Sequence, residues 1–215
     1  MFKDREEAGR GLAAKLSSYK GKKDVLVLGI PRGGIATAVE IARELALPLD
    51  IVVVKKIGAP HNEELAVGAV GLNEIYLNVD VVRSSEVSQD YIAKIAKEKQ
   101  KEVKRRYALL RGKKPMYTVK GKIIILVDDG VATGATMMMA IKIIRQQSPA
   151  KIVVAIPVAP PETVRELEKE ADTVVCLERP AFFMAIGQFY EQFPQIEDKI
   201  AKRMLQEMWR KFSGK

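Results

Sequence analysis

Hydrophobic and polar positions follow two rhythms along this chain. Five short runs are apolar at nearly every position: residues 25–30, 51–54, 123–127, 152–158 and 173–177. They are rich in β-branched residues and too short for helices, so they read as strands buried on both faces. Between them the apolar spacing becomes helical. Residues 4–16 place Ala8, Leu12, Ala13 and Leu16 on one face, residues 35–47 end at Pro48, and residues 136–146 form a further amphipathic stretch. Pro160 and Pro161 then open a short helix reaching residue 170. Apolar strands separated by helices imply a parallel sheet covered on both sides. The expected architecture is α/β, with a Rossmann-like five-stranded parallel sheet flanked by helices.

Two regions depart from this rhythm. Residues 65–70 and 75–79, separated by Gly71, Leu72, Asn73 and Glu74, are expected to pair as a hairpin. Ser88 is a suitable N-cap for a long charged helix to residue 110, with Ile92, Ile95, Ala96, Val103, Tyr107 and Leu110 as its apolar side. That helix carries more charge than a core helix needs, so it is expected outside the sheet, as an inserted flap or a dimer surface. After the last strand, Phe182, Phe183, Gly187, Tyr190 and Phe193 precede a terminal helix over residues 195–211, read as a small hood or tail. There is no repeat or low-complexity linker. The chain reads as one domain over 1–215, with a core of about 1–72 and 118–180, an insertion of about 73–117 and a hood or tail of about 181–215.

Composition narrows the partners. With 215 residues, 47% of them hydrophobic, the chain can bury a core without disulfides. The single cysteine, Cys176, sits in an apolar run and reads as a small buried hydrophobe. No apolar stretch approaches the roughly 20 residues needed to span a bilayer, and the charged N-terminus is unlike a signal peptide. A cytoplasmic protein is expected. The net charge of +9, concentrated over residues 97–114 and 202–215, favours anionic ligands. Aromatic content of 6% without interleaved basic residues disfavours a single-stranded nucleic-acid platform.

The segment that carries chemistry follows the third run. Asp128 and Asp129 stand at the expected carboxyl end of a parallel strand, where open α/β sheets bind ligands. Gly130, Val131, Ala132, Thr133, Gly134, Ala135 and Thr136 form an uncharged loop opening a helix. Converging backbone N–H groups, the two Thr hydroxyls and roughly half a positive charge at the helix start make an anion nest. Two carboxylates would repel a phosphate but can accept hydrogen bonds from vicinal hydroxyls, directly or through a hydrated metal ion. The combination reads as a ribose 5-phosphate site. A Walker loop would need a lysine where Ala135 stands, and GxGxxG spacing is missing, so a kinase or a dinucleotide enzyme is disfavoured.

The complete string IIILVDDGVATGAT resembles the phosphoribosyl pyrophosphate signature of type I phosphoribosyltransferases. Two further segments resemble the same family in the same order. Pro31, Arg32, Gly33 and Gly34 look like its pyrophosphate loop, and the resemblance implies a non-proline cis peptide between Pro31 and Arg32. Residues 53–70, VVKKIGAPHNEELAVGAV, look like the Arg-Lys-x-Gly-x-x-Pro stretch of adenine enzymes, with Lys55 for Arg and Pro60 one residue early. The three motifs together are most similar to a group of predicted phosphoribosyltransferases of unknown acceptor. The resemblance implies the family's fold and transfer of a phosphoribosyl group from phosphoribosyl pyrophosphate to a nucleobase-like acceptor, with pyrophosphate released. It implies Mg²⁺ near Asp128 and Asp129, pyrophosphate contacts from Arg32 and Lys56 with Lys55 as a third candidate, and a homodimer.

One position departs from part of the family. In 6-oxopurine enzymes the residue before the Thr-Gly pair is an acid, and here it is Ala132, which disfavours hypoxanthine and guanine. The alternative to an enzyme is a regulator on the same fold that binds the phosphoribosyl ligand and uses its basic surfaces on nucleic acid. His61, the only histidine, is expected in a solvated loop, and Met137, Met138 and Met139 are expected to pack. The stretch from Phe182 to Phe193 could serve as a hood over a flat acceptor or as hydrophobic anchoring for the tail.

Overall fold

The computed structural model describes residues 1–112 and 114–212; residue 113 and residues 213–215, within the two basic stretches, lie outside the described residues. Helix α1 (Arg5–Lys15) opens the chain, its first turn held by Asp4, whose side chain accepts from the Glu7 N–H at 2.8 Å. Strand β1 (Val25–Gly29), helix α2 (Gly33–Leu45) and strand β2 (Leu49–Ile51) follow. Next come strands β3 (Lys55–Ala59), β4 (Asn62–Val70) and β5 (Ile75–Leu77), the short helix α3 (Val79–Ser84) and the long helix α4 (Gln89–Arg111). Strand β6 (Ile123–Val127), helix α5 (Ala135–Arg145), strand β7 (Lys151–Val158), helix α6 (Pro161–Glu170), strand β8 (Thr173–Glu178) and helix α7 (Asp198–Phe212) complete it.

The expected parallel sheet is present, in the order β2-β1-β6-β7-β8. Successive side chains of a strand point to opposite faces. Val25 and Val27 of β1 therefore join the cluster under α1, α2, α4 and α7, and Leu26 and Leu28 join the one under α5 and α6. Both faces are covered, which is why the strands are apolar throughout. The strand order reverses between β1 and β6, paired from Val25↔Ile123 to Gly29↔Val127. Loops leaving those two strands diverge and open a crevice at the sheet's carboxyl edge. The PRGG turn leaves β1 there, and the Asp128–Asp129 pair leaves β6.

The second apolar run is shorter as a strand than its sequence suggests. The ladder with β1 ends at Ile51, and residues 52–54 leave it to line a cavity. The hairpin expected from residue 65 is one part of a three-stranded antiparallel sheet, β3-β4-β5. Lys55 and Lys56 thus begin a strand of this second sheet. Helix α4 starts at the expected cap, the Ser88 hydroxyl accepting from the Tyr91 N–H at 3.2 Å. It does lie outside the parallel sheet, docked through Ile92, Ala96, Val103, Tyr107 and Leu110 against β3, β4 and α7. Cys176 is partly buried against the α5 and α6 side of the core, and burial pushes its thiol up to about 11. Among the described residues, no helix is long and apolar enough to cross a membrane.

Candidate active site

The turn after β1 rests directly on the two acids after β6. The Ile30 N–H donates to the Val127 carbonyl at 2.9 Å, and the Pro31–Arg32 peptide is cis, as expected. The two glycines are needed for close approach. A methyl group on Gly33 would stand 1.9 Å from Asp129 Oδ2, and one on Gly34 would stand 2.7 Å from the Val127 carbonyl and 2.8 Å from Asp128 Cα. The pyrophosphate-loop candidate and the ribose-binding candidates therefore form one packed unit.

Within that unit the acids are not equivalent. Asp129 is buried, and its Oδ2 accepts from Arg5 Nε at 2.6 Å. Arg5 also donates to the Pro194 carbonyl at 2.9 Å and lies 3.7 Å from the centre of the Phe193 ring. Tyr190, stacked on Phe193 with 4.8 Å between ring centres, donates its hydroxyl to the Asp129 carbonyl at 2.6 Å. The first turn of α1 and the tail thus clamp the second acid from behind. Asp128 Oδ1 accepts from the Asp129 N–H at 2.9 Å. Burial, and then the neighbouring Asp129 charge, push the Asp128 carboxyl well above the usual carboxylate range.

The loop over residues 130–134 leads into α5, whose start at Gly134 has no side-chain cap. The first N–H groups of that helix lack intrahelical partners, as an anion site requires. Thr163 of α6 braces the loop by donating its hydroxyl to the Ala132 carbonyl at 2.7 Å. Val131 is buried beneath the loop, and Ala132, Thr133, Ala135 and Thr136 are exposed.

A cavity of about 810 Å³ opens beside this unit. Lys56 and the third candidate Lys55 line it from β3, and Ala135 and Thr136 line it from α5, which brings two of the three expected cations to the end of the phosphate loop; from the PRGG turn Pro31 lines it, and Arg32 is not among the lining residues. Among the described residues, Asp128 and Asp129 are not part of its wall. Residues 52–54 and Met139 provide apolar surface, so Met137 and Met138 pack as expected and Met139 faces the cavity. Sequence reasoning missed a further part of the lining, Arg105 and Arg106 of α4 and Asp198 of α7. Arg106 lies 2.7 Å from Asp198, Arg32 lies 3.8 Å from the same carboxylate, and Lys55 lies 3.2 Å from Glu102. The hydrogen bond from Lys99, with further help from Lys55, holds Glu102 below the usual carboxylate range. The excess of lysine and arginine in α4 was visible in the sequence, but not the direction in which two of those residues face.

His61 is exposed at the β3–β4 turn, with φ of 37°. The aromatic stretch divides: Tyr190 and Phe193 anchor the tail, and Phe182 is 73% exposed.

The family model described as a phosphoribosyl transferase domain matches residues 2–194. A Mycobacterium tuberculosis protein provisionally named a phosphoribosyl transferase is 40% identical over 214 residues, 99% of this chain and 48% of its own length. The chain therefore spans about half the length of the curated relatives it matches. The crystal structure of a Thermus thermophilus protein, TT1426, shares 40% identity with a TM-score of 0.89, covering 97% of this chain and 99% of that one. That of a purine phosphoribosyltransferase from Pyrococcus horikoshii, at 22% identity and a TM-score of 0.50 over 90% and 92% of the two chains, shows a shared fold.

Proposed function

The chain belongs to the phosphoribosyl transferase domain family, and from that premise we propose that it moves the 5-phosphoribosyl group of phosphoribosyl pyrophosphate onto a nucleobase-like acceptor and releases pyrophosphate. The observation that carries this reading is the contact of the PRGG glycines with Asp128 and Asp129, which joins a basic turn, an acidic pair and a phosphate loop at one crevice. The 5-phosphate sits on the N–H groups that open α5 and on the Thr133 and Thr136 hydroxyls. Asp128 accepts from the ribose hydroxyls, with Asp129 held behind it by Arg5. Pyrophosphate lies on the cavity side, against Arg32, Lys55 and Lys56. In the transfer the bond from C1 to pyrophosphate breaks and the departing oxygen keeps the electron pair. The acceptor nitrogen bonds to C1 and gives its proton to the departing pyrophosphate or to solvent. Fixed cations around the leaving group and fixed donors around the phosphate supply most of the acceleration.

The side chains fit Mg²⁺ as a companion of the diphosphate. No cluster of three or more metal-ligating side chains exists among the described residues, and Arg5 occupies one of the two acids, which leaves Asp128 as a single carboxylate donor. Held beside Asp128, Mg²⁺ would neutralise charge on the leaving pyrophosphate. Ala132 offers no carboxylate to the acceptor, which disfavours a 6-oxopurine.

The test is pyrophosphate release from phosphoribosyl pyrophosphate and Mg²⁺ across a panel of purines, pyrimidines and small amines. Release with at least one acceptor other than hypoxanthine or guanine is expected, together with at least tenfold weaker phosphoribosyl pyrophosphate binding in Asp128→Asn. Tight binding without release for any acceptor would instead favour an effector-binding regulator.

A further inference from the structure

Asp198 is an anion in a place built for anions. It is the first residue of α7 and lies outside the residues 2–194 matched by the family model. Its carboxylate nonetheless reaches back into the 810 Å³ cavity. One oxygen lies 2.7 Å from Arg106 of α4 and 3.8 Å from Arg32 of the PRGG turn, and the other accepts from Arg106 at 2.8 Å. Two cations from separate elements thus converge on one carboxylate. The side chains of Arg32, Arg106 and Asp198 are about one-quarter to one-third exposed, but the carboxylate oxygen that faces both arginines is itself buried and accepts no hydrogen bond, so a ligand reaches the two cations by moving the carboxylate aside. Lys55 and Lys56 stand on the same cavity wall, and Lys55 is engaged by Glu102.

We propose that Asp198 is an affinity-setting residue of the leaving-group subsite, a resident counter-anion that holds Arg32 and Arg106 together until a diphosphate displaces it. The inference rests on the reading of this crevice as a phosphoribosyl pyrophosphate site. A diphosphate carries more charge than one carboxylate and presents oxygens to both arginines at once, so it competes where a monoanion does not. On this account a ligand whose only phosphate sits on the loop before α5 leaves the carboxylate on its two arginines. Asp198 therefore raises the threshold for pyrophosphate-bearing ligands and leaves ribose 5-phosphate unaffected. Arg106 is, on this account, a pyrophosphate contact contributed by the inserted helix.

The experiment is calorimetric titration of the full chain and of Asp198→Asn and Asp198→Glu, at fixed ionic strength, with inorganic pyrophosphate and separately with ribose 5-phosphate. Asn keeps the size and hydrogen-bonding capacity needed at a helix start, and Glu keeps the charge. For Asp198→Asn the expected result is pyrophosphate affinity raised about tenfold with ribose 5-phosphate affinity unchanged; Asp198→Glu stays within about threefold of the parent. Weaker pyrophosphate binding in Asp198→Asn would overturn the proposal and make Asp198 a support that orients Arg106. Unchanged binding would overturn it as well. If the parent chain binds ribose 5-phosphate and Asp198→Asn shows no gain for pyrophosphate, this inference alone fails. If the parent binds neither ligand, the reading of the crevice fails with it.

Discussion

Gly34 is the residue with the least room to change. A methyl group there meets backbone on both sides, the Val127 carbonyl and Asp128 Cα, and that carbonyl already accepts from Ile30. Neither atom can move without disturbing the β1–β6 ladder beneath the crevice. Gly34→Ala is therefore expected to destabilise the protein by about 1–3 kcal/mol. It should also weaken phosphoribosyl pyrophosphate binding more than tenfold, because relief comes from lifting the turn off the acids. Urea unfolding and calorimetry check the two parts, and an Ala variant with parental stability would mean the turn relaxes freely. The sequence marked these glycines as a tight turn, but the reason for two of them lies in β6, far along the chain. Asp128 and Asp129 were legible because strand, acids and loop are contiguous. Arg5 was not legible: its partner is 124 residues away, and locally it is one charged position in an amphipathic helix.

Helix α4 shows how an element and its place outside the parallel sheet can be read while part of what docks it is missed. Its cap, length and apolar side follow from local spacing, and charge density suggested a peripheral flap. Its apolar side is joined in docking by polar groups that periodicity does not weigh. Tyr107 takes the Val53 N–H at 3.2 Å and donates to the Ile51 carbonyl at 3.4 Å, just where β2 ends and residues 52–54 leave the ladder. Arg111 holds the buried Asp50 through two bonds of 2.6 and 2.7 Å and caps the Lys114 and Pro115 carbonyls. The early end of β2 and the docking of α4 are one event, with a tyrosine standing in for the next ladder partner. Tyr107→Phe should leave the Val53 N–H buried without its partner, at a cost of about 1–3 kcal/mol. The denaturant midpoint should fall with the slope unchanged. An unchanged midpoint would mean that water replaces the hydroxyl and that α4 is held by its apolar side alone.

At the scale of the whole molecule, the site depends on a helix beyond the matched family segment. The βα rhythm made the five strands and the fold class legible, and the carboxyl edge of the sheet followed from topology. The packing of α7 did not, because an amphipathic helix after the last strand has several apolar surfaces it could cover. It lies against α2, α4 and β2, burying Ala201, Leu205, Met208 and Trp209, and Trp209 Nε1 donates to the Leu49 carbonyl at 2.7 Å. The three larger side chains contribute about 1.5–3 kcal/mol each on burial, together roughly 5–9 kcal/mol. The net stability of a domain is of the same order, about 5–15 kcal/mol. A chain ending at residue 197 exposes that surface on α2, α4 and β2 and loses the carboxylate between Arg32 and Arg106. Circular dichroism melting should show the truncated chain losing cooperative unfolding or melting at least about 15 °C lower. A shortened chain that melts like the parent would mean that α7 rests on a core already complete without it, and that its sole connection with the site is Asp198.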